Sequence, residues 1–185
     1  MGATRMKVPP AFFFGAAWLG LDLGTKQWAH RALQFHDIEL VPHFFRLSLV
    51  RNSGIAFGLF DNAGAGGGIK SVVLVCVALA ALLIVGTHAA RTPARARWAQ
   101  LALGLLLGGI TGNMIDRIRH YSVVDFLDFD LYFFKFPTFN VADCGITIGV
   151  ALLILMTLRH PGTLPQTGAV PESADTLAVG PETEC

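Results

Sequence analysis

Four long apolar stretches govern what this chain can become. They run from about Ala11 to Ala29, Ser71 to Ala90, Trp98 to Ile118 and Val141 to Leu158. A helix crossing a bilayer needs about 20 mostly apolar residues, because lipid offers nothing to satisfy a bare peptide group. Each stretch meets that requirement. The composition agrees, with 53% hydrophobic residues and only 15% charged, too apolar for an ordinary soluble domain. The expected fold is therefore an all-α polytopic membrane protein with four transmembrane helices. Between the first two helices, residues 36–60 hold short alternating runs such as Phe45-Arg46-Leu47-Ser48-Leu49, which predict a small β element in the first outer, periplasmic loop.

The basic opening MGATRMKVPP has no small-residue cleavage site before Asp22 and Lys26, so it reads as the start of an uncleaved first helix. Four spans put both termini on one side. Arg5, Lys7, Arg91, Arg95, Arg97 and Arg159 then share that side, the cytoplasm by the positive-inside rule. Arg31, Arg46, Arg51, Lys70, Arg117, Arg119 and Lys135 fall on the other, so the orientation rests mainly on the first helix and the short Arg-rich second loop. Residues 1–160 form the expected membrane domain, Asp61 to Gly68 a flexible connector, and residues 161–185 a disordered acidic tail dispensable for chemistry. A net charge of +1 gives no field for nucleic acid. Cys76, Cys144 and Cys185 have no CxxC or Cys/His spacing, so neither a disulfide framework nor structural zinc is expected, and no metal or other cofactor.

An ionisable side chain within a membrane helix is costly and is a functional candidate by default. Asp22 and Lys26 are spaced i, i+4, and their simplest role is a structural pair neutralising itself near the membrane surface. Asn113, Asp116 and Arg117 share one face at the end of a glycine-rich run. There the plain reading is scaffolding, with Asp116 and Arg117 as a surface pair where the helix leaves the membrane. Asp125 sits among apolar residues in VVDFLDFD. Asn140 is a candidate N-cap of the fourth helix, and Asp143 follows one turn later on the face of Asn140 and Thr147. Taken alone, Asp143 reads equally as a carboxylate that only stabilises its own helix N-terminus through the dipole and as a functional group.

Five blocks in order, DLGTKQWA, VRNSGIAFGLF, GNMIDR, VVDFLDF and FNVADCGITIG, resemble the lipoprotein signal peptidase (signal peptidase II) family over roughly residues 11–159. The resemblance implies an aspartic endopeptidase of the bacterial inner membrane, working near its outer face without metal or covalent intermediate. Asp125 and Asp143 would form its catalytic dyad. Asp22, Lys26, Asn52, Asn113, Arg117 and Asn140 would line and brace the site, with Asp116 beside them. Its substrates would be prolipoproteins whose lipobox Cys already carries diacylglyceryl, cut just before that Cys. Other expected partners are membrane lipid and no second copy, the chain acting as a monomer. Cys144 stands where a small hydroxyl residue is expected. The dyad is expected at the outer ends of the third and fourth helices. Phe44, Phe45, Phe57, Phe60, Phe133 and Phe134 are expected either to anchor the outer loops in the interface or to cover the peptide.

Other classes fit less well. A proton or ion-coupled transporter would spread its ionisable groups across the midplane and show an inverted repeat. A metal enzyme built on Asp125, Asp128 and Asp130 lacks a recognised ligand spacing. A serine protease based on Ser53 lacks GxSxG and an obvious base in sequence. A purely structural membrane protein would tolerate loss of either Asp125 or Asp143.

Overall fold

Pro10 supplies the fixed φ and missing N–H that suit a first helical turn, and from it α1 runs to Ala32 (Pro10–Ala32). Three more helices follow, α2 (Gly66–Arg91), α3 (Arg97–His120) and α4 (Val141–Arg159). The structure, a computed structural model, describes residues 8–54 and 66–159. Each apolar stretch of the sequence lies inside one of these helices. Residues 1–7, 55–65 and 160–185, with Phe57, Phe60, most of the expected connector and the acidic tail, lie outside the described residues. The last three connector glycines, Gly66 to Gly68, open α2 instead.

Among the described residues, three helices are long and apolar enough to cross a membrane, Ile69–Arg91, Arg97–His120 and Val141–Arg159. α1 is as long, at 23 residues, but is not among them. Asp22 and Lys26 lower its hydropathy, and both point inward, at 0% and 4% exposure, while Phe13 and Leu21 point outward at 74% and 50%. The fold is thus a mostly helical membrane bundle with a small antiparallel sheet.

α3 is the central helix and packs against the other three. Its glycines make the close approach to α1 possible. A Cβ on Gly104 would lie 2.7 Å from the Ala11 carbonyl oxygen, and one on Gly108 2.6 Å from that of Gly15. At one end of the bundle the buried Gln100 side chain ties three helices together. Its Oε1 accepts from the Ala11 N–H (2.8 Å), and its Nε2 donates to the carbonyls of Ala89 (3.3 Å) and Thr92 (2.8 Å).

At the other end lies the sheet, β1 (Ile38–Val41), β2 (Phe45–Asn52) and β3 (Val123–Phe129), in that order and antiparallel throughout. β1 and β2 occupy the α1–α2 connection, as expected. β3 was not anticipated and corrects the assignment of all β structure to the first outer loop, since the α3–α4 connection supplies the third strand. The first four residues of β3 are all buried, so the sequence shows no alternation to announce a strand. Pairing with β2, including Val50 opposite Asp125 and Asn52 opposite Val123, decides the matter. Leu47 and Phe126 of the sheet pack on Ala29 and Leu33, seating it on the end of α1. Phe44 and Phe45 both pack against Phe129, whereas Phe133 is 95% exposed.

Candidate active site

α1, α3, α4, β2 and β3 converge where sheet and bundle meet, and every candidate site residue lies there. Asp125 is on β3 and 1% exposed. This corrects the expected position of the dyad, because Asp125 comes from a strand and only Asp143 from a helix end. Asp143 is the third residue of α4 and half-buried.

Asn140 joins the two carboxylates. Its Oδ1 accepts from the Asp143 N–H (3.0 Å), and its own N–H donates to Asp143 Oδ2 (3.2 Å). That reciprocal pair is a capping box, with Asp in the place usual for Glu, so the expected N-cap is present. With Oδ1 occupied by a donor, the Nδ2 group of Asn140 is turned toward Asp125 Oδ1 (2.6 Å) and Asn113 Oδ1 (3.2 Å).

The same logic orients the other two amides. Asn113 Oδ1 receives Lys26 Nζ (3.0 Å), which leaves its Nδ2 to donate to Asp143 Oδ1 (2.7 Å). Asn52 Oδ1 receives the Gly54 N–H (2.8 Å), so its Nδ2 donates to Asp125 Oδ2 (2.8 Å). The turn depends on Gly54, whose φ of +84° suits glycine far better than any other residue. All four carboxylate oxygens therefore accept from nitrogen, three of them from side-chain amides.

Lys26 is satisfied on three sides, by Asn113, by Asp22 Oδ2 (2.8 Å) and by Asp116 Oδ2 (3.0 Å). Asp22 and Lys26 are thus more than a self-contained pair: Asp22 Oδ1 also accepts from the Ala142 N–H (2.8 Å) on α4. The expected surface pair of Asp116 and Arg117 is replaced by another arrangement. Asp116 is buried against Lys26 and accepts from the Val124 N–H of β3 (3.3 Å). Adjacent helical residues point about 100° apart, which sends Arg117 elsewhere. Arg117 donates from Nη1 to the Asn113 carbonyl (3.2 Å) and lies in the field of Asp143, Asp125 and Asp116.

Burial pushes the Asp125 carboxyl up to about 6, the Asn52 hydrogen bond opposing and the Asp143 charge adding to the rise. Two neighbouring carboxylates, one buried, favour holding one proton between them, which provides an acid and a base together. Asp128 takes no part. Three residues along a strand it faces the opposite way from Asp125, and Arg46 (2.6 Å) and Lys135 (3.6 Å) engage it. Asp125, Asp128 and Asp130 therefore do not converge as metal ligands, and no group of three or more potential ligands comes together among the described residues. A groove of about 490 Å³ opens on Asp143, walled by residues 136–139 and by Cys144, Thr147 and Ile148 of α4.

Two positions escaped the sequence reading. Gln100 looks like any polar residue near a helix start. Trp18 looks like an interfacial aromatic, although its place four residues before Asp22 puts it on the same face of α1.

The family model for signal peptidase (SPase) II matches residues 14–159. The lipoprotein signal peptidase of Gloeobacter violaceus is 42% identical over 149 residues, 80% of each chain. That of Symbiobacterium thermophilum is 42% identical over 138 residues, 73% of this chain and 85% of its own. A solved bacterial membrane enzyme, obtained by the in meso method, superposes with a TM-score of 0.68 at 26% identity, covering 86% of this chain and 94% of that one. With a family match spanning most of the chain and relatives above 40% identity, this protein belongs to the signal peptidase II family of membrane peptidases.

Proposed function

We propose that Asp125 and Asp143 are the catalytic pair of this peptidase, and that its substrates are diacylglyceryl-modified prolipoproteins cut just before the lipidated Cys. The observation that carries the assignment is Asn140, which caps Asp143 and donates to Asp125 at 2.6 Å, so that one side chain holds both carboxylates. In the reaction the pair shares one proton, and burial raises the Asp125 carboxyl. The ionised member takes a proton from the attacking water while the protonated one donates to the scissile carbonyl oxygen. Asn52, Asn113 and Asn140 hold the acid pair in register. The groove beside Asp143 receives the substrate, and Arg117, in the field of both carboxylates, helps position its backbone.

α1 is the fourth span. Its close packing along α3 sets it at the same depth, and its outward residues are apolar. Both termini then face the cytoplasm, with Arg91, Arg95 and Arg97 at the inner ends of α2 and α3, and the dyad near the outer face. The chain works as a monomer in the inner membrane.

The test compares wild type, Asp125→Asn and Asp143→Asn, purified in detergent, by gel shift of a diacylglyceryl-modified prolipoprotein and by thermal melting. Folded but inactive variants beside an active wild type are expected. Near-normal cleavage by either variant would remove the dyad.

A further inference from the structure

α1 presents Trp18, Asp22 and Lys26 four residues apart, a single stripe facing α3 and α4. The chemistry above uses Asp22 and Lys26 and leaves Trp18 without a role. Its indole Nε1 donates to the carbonyl of Val141 at 3.1 Å. Val141 is the first residue of α4, and in a helix its carbonyl is the acceptor for the N–H of residue 145. Residue 145 is glycine. A Cβ there would lie 2.8 Å from both Cδ1 and Cε2 of Trp18 and would also collide with Nε1, so the missing side chain is what opens this carbonyl to a second donor.

One turn further along α1, Asp22 Oδ1 takes the N–H of Ala142 at 2.8 Å. That N–H belongs to the first turn of a helix and has no intrahelical partner. The two residues immediately before Asp143 are thus gripped by one rigid helix through contacts of opposite polarity, a donor on Val141 and an acceptor on Ala142. Two such contacts on successive residues fix both the height and the rotation of the first turn of α4. The Asp143 carboxylate is aimed by that turn.

We propose that Trp18 is a positioning residue for the peptidase reaction: seated against Gly145, its indole N–H locks the first turn of α4 so that Asp143 stays on Asn113 and Asn140 and faces the groove. The proposal rests on reading Asp143 as catalytic. The N–H matters here beyond the bulk of the ring, since Asp143 must hold its place to a fraction of an ångström for proton transfer, and a displacement of about 1 Å is enough to cost on the order of 100-fold in rate.

The test separates the hydrogen bond from the packing. Site-specific incorporation at position 18 of β-(3-benzothienyl)alanine keeps ring size and shape but replaces N–H by sulfur, and 5-fluorotryptophan keeps the N–H. Each protein is assayed on a diacylglyceryl-modified prolipoprotein, with kcat normalised to the folded fraction from a thermal melt. The sulfur analogue is expected to lower kcat by about tenfold or more with KM unchanged. The fluorinated analogue should run at the wild-type rate. A sulfur analogue with wild-type kcat, or one whose activity falls only as its folded fraction falls, overturns the positioning role. Asp143→Asn measured alongside keeps the two ideas apart. If it still cleaves, the reading of Asp143 fails; if it is dead while the sulfur analogue is fully active, only the role of Trp18 fails.

Discussion

Asp125 shows how one buried side chain couples chemistry to stability. Its carboxyl has moved from the ordinary 3.8 to about 6, with loss of water as the main cause. The folded protein therefore holds the proton more tightly than the unfolded chain. The resulting stabilisation is complete below about pH 4 and is lost as pH rises through about 6. A shift of that size corresponds to about 3 kcal/mol. Asp125→Asn is uncharged at every pH and lacks this dependence. Melting temperatures of wild type and variant, compared from pH 4 to 8, should diverge in that window, with wild type losing ground to the variant as pH rises to about 7 and holding a constant offset above it. An offset that does not change with pH would mean that burial does not govern this carboxyl. The value near 6 also puts the change of protonation close to neutral pH, where a shared proton is useful.

The helices were legible in the sequence because an apolar stretch is a property of neighbours along the chain. All four were located to within a few residues, apart from the earlier start of α2. β3 was not, because its identity depends on β2, more than 70 residues away in sequence. The same distinction runs through the site. Asn140 could be read as a cap from its place before an apolar run, whereas its bond to Asp125 needs the strand to be present. Burial of Asp116 on Lys26, instead of pairing with its neighbour Arg117, likewise follows from how α1 and α3 pack. The two roles of Asn140 can be separated by substitution. Asn140→Asp should keep the cap, since Asp and Asn cap about equally well, yet it removes the donor to Asp125 and adds a third carboxylate. A folded protein with cleavage reduced at least 100-fold is expected, a loss on the order of that from removing one preorganised donor. Asn140→Ala should lose activity and also about 1 kcal/mol of stability through the cap. Gel-shift rates and melts on the same samples check both, and a fully active Asn140→Asp would confine Asn140 to capping.

The molecule as a whole has polar ties at its two ends and a glycine-lined seam between them. At one end Gln100 holds the start of α1 and the end of α2 to α3; at the other, Lys26 and the asparagines hold α1, α3, α4 and the sheet. In lipid the apolar effect does little to draw helices together, so close packing and internal polar contacts carry the association. Both ends should therefore matter for stability and only one for chemistry. Gln100 lies about 20 Å along α3 from Asn113, at 1.5 Å per residue. Gln100→Leu has nearly the same volume but strands the Ala11 N–H and the Ala89 and Thr92 carbonyls, at a cost of about 2–4 kcal/mol. It should melt earlier while the folded enzyme keeps wild-type kcat and KM. Asp22→Asn perturbs the other end, keeping an Oδ1 acceptor for the Ala142 N–H but replacing the carboxylate oxygen that engages Lys26 by an amide donor, and should lower both the melting temperature and kcat. If Gln100→Leu also lowered kcat per folded molecule, the two ends would be mechanically coupled through α3, and the seam at Gly104 and Gly108 would be the rigid link between them.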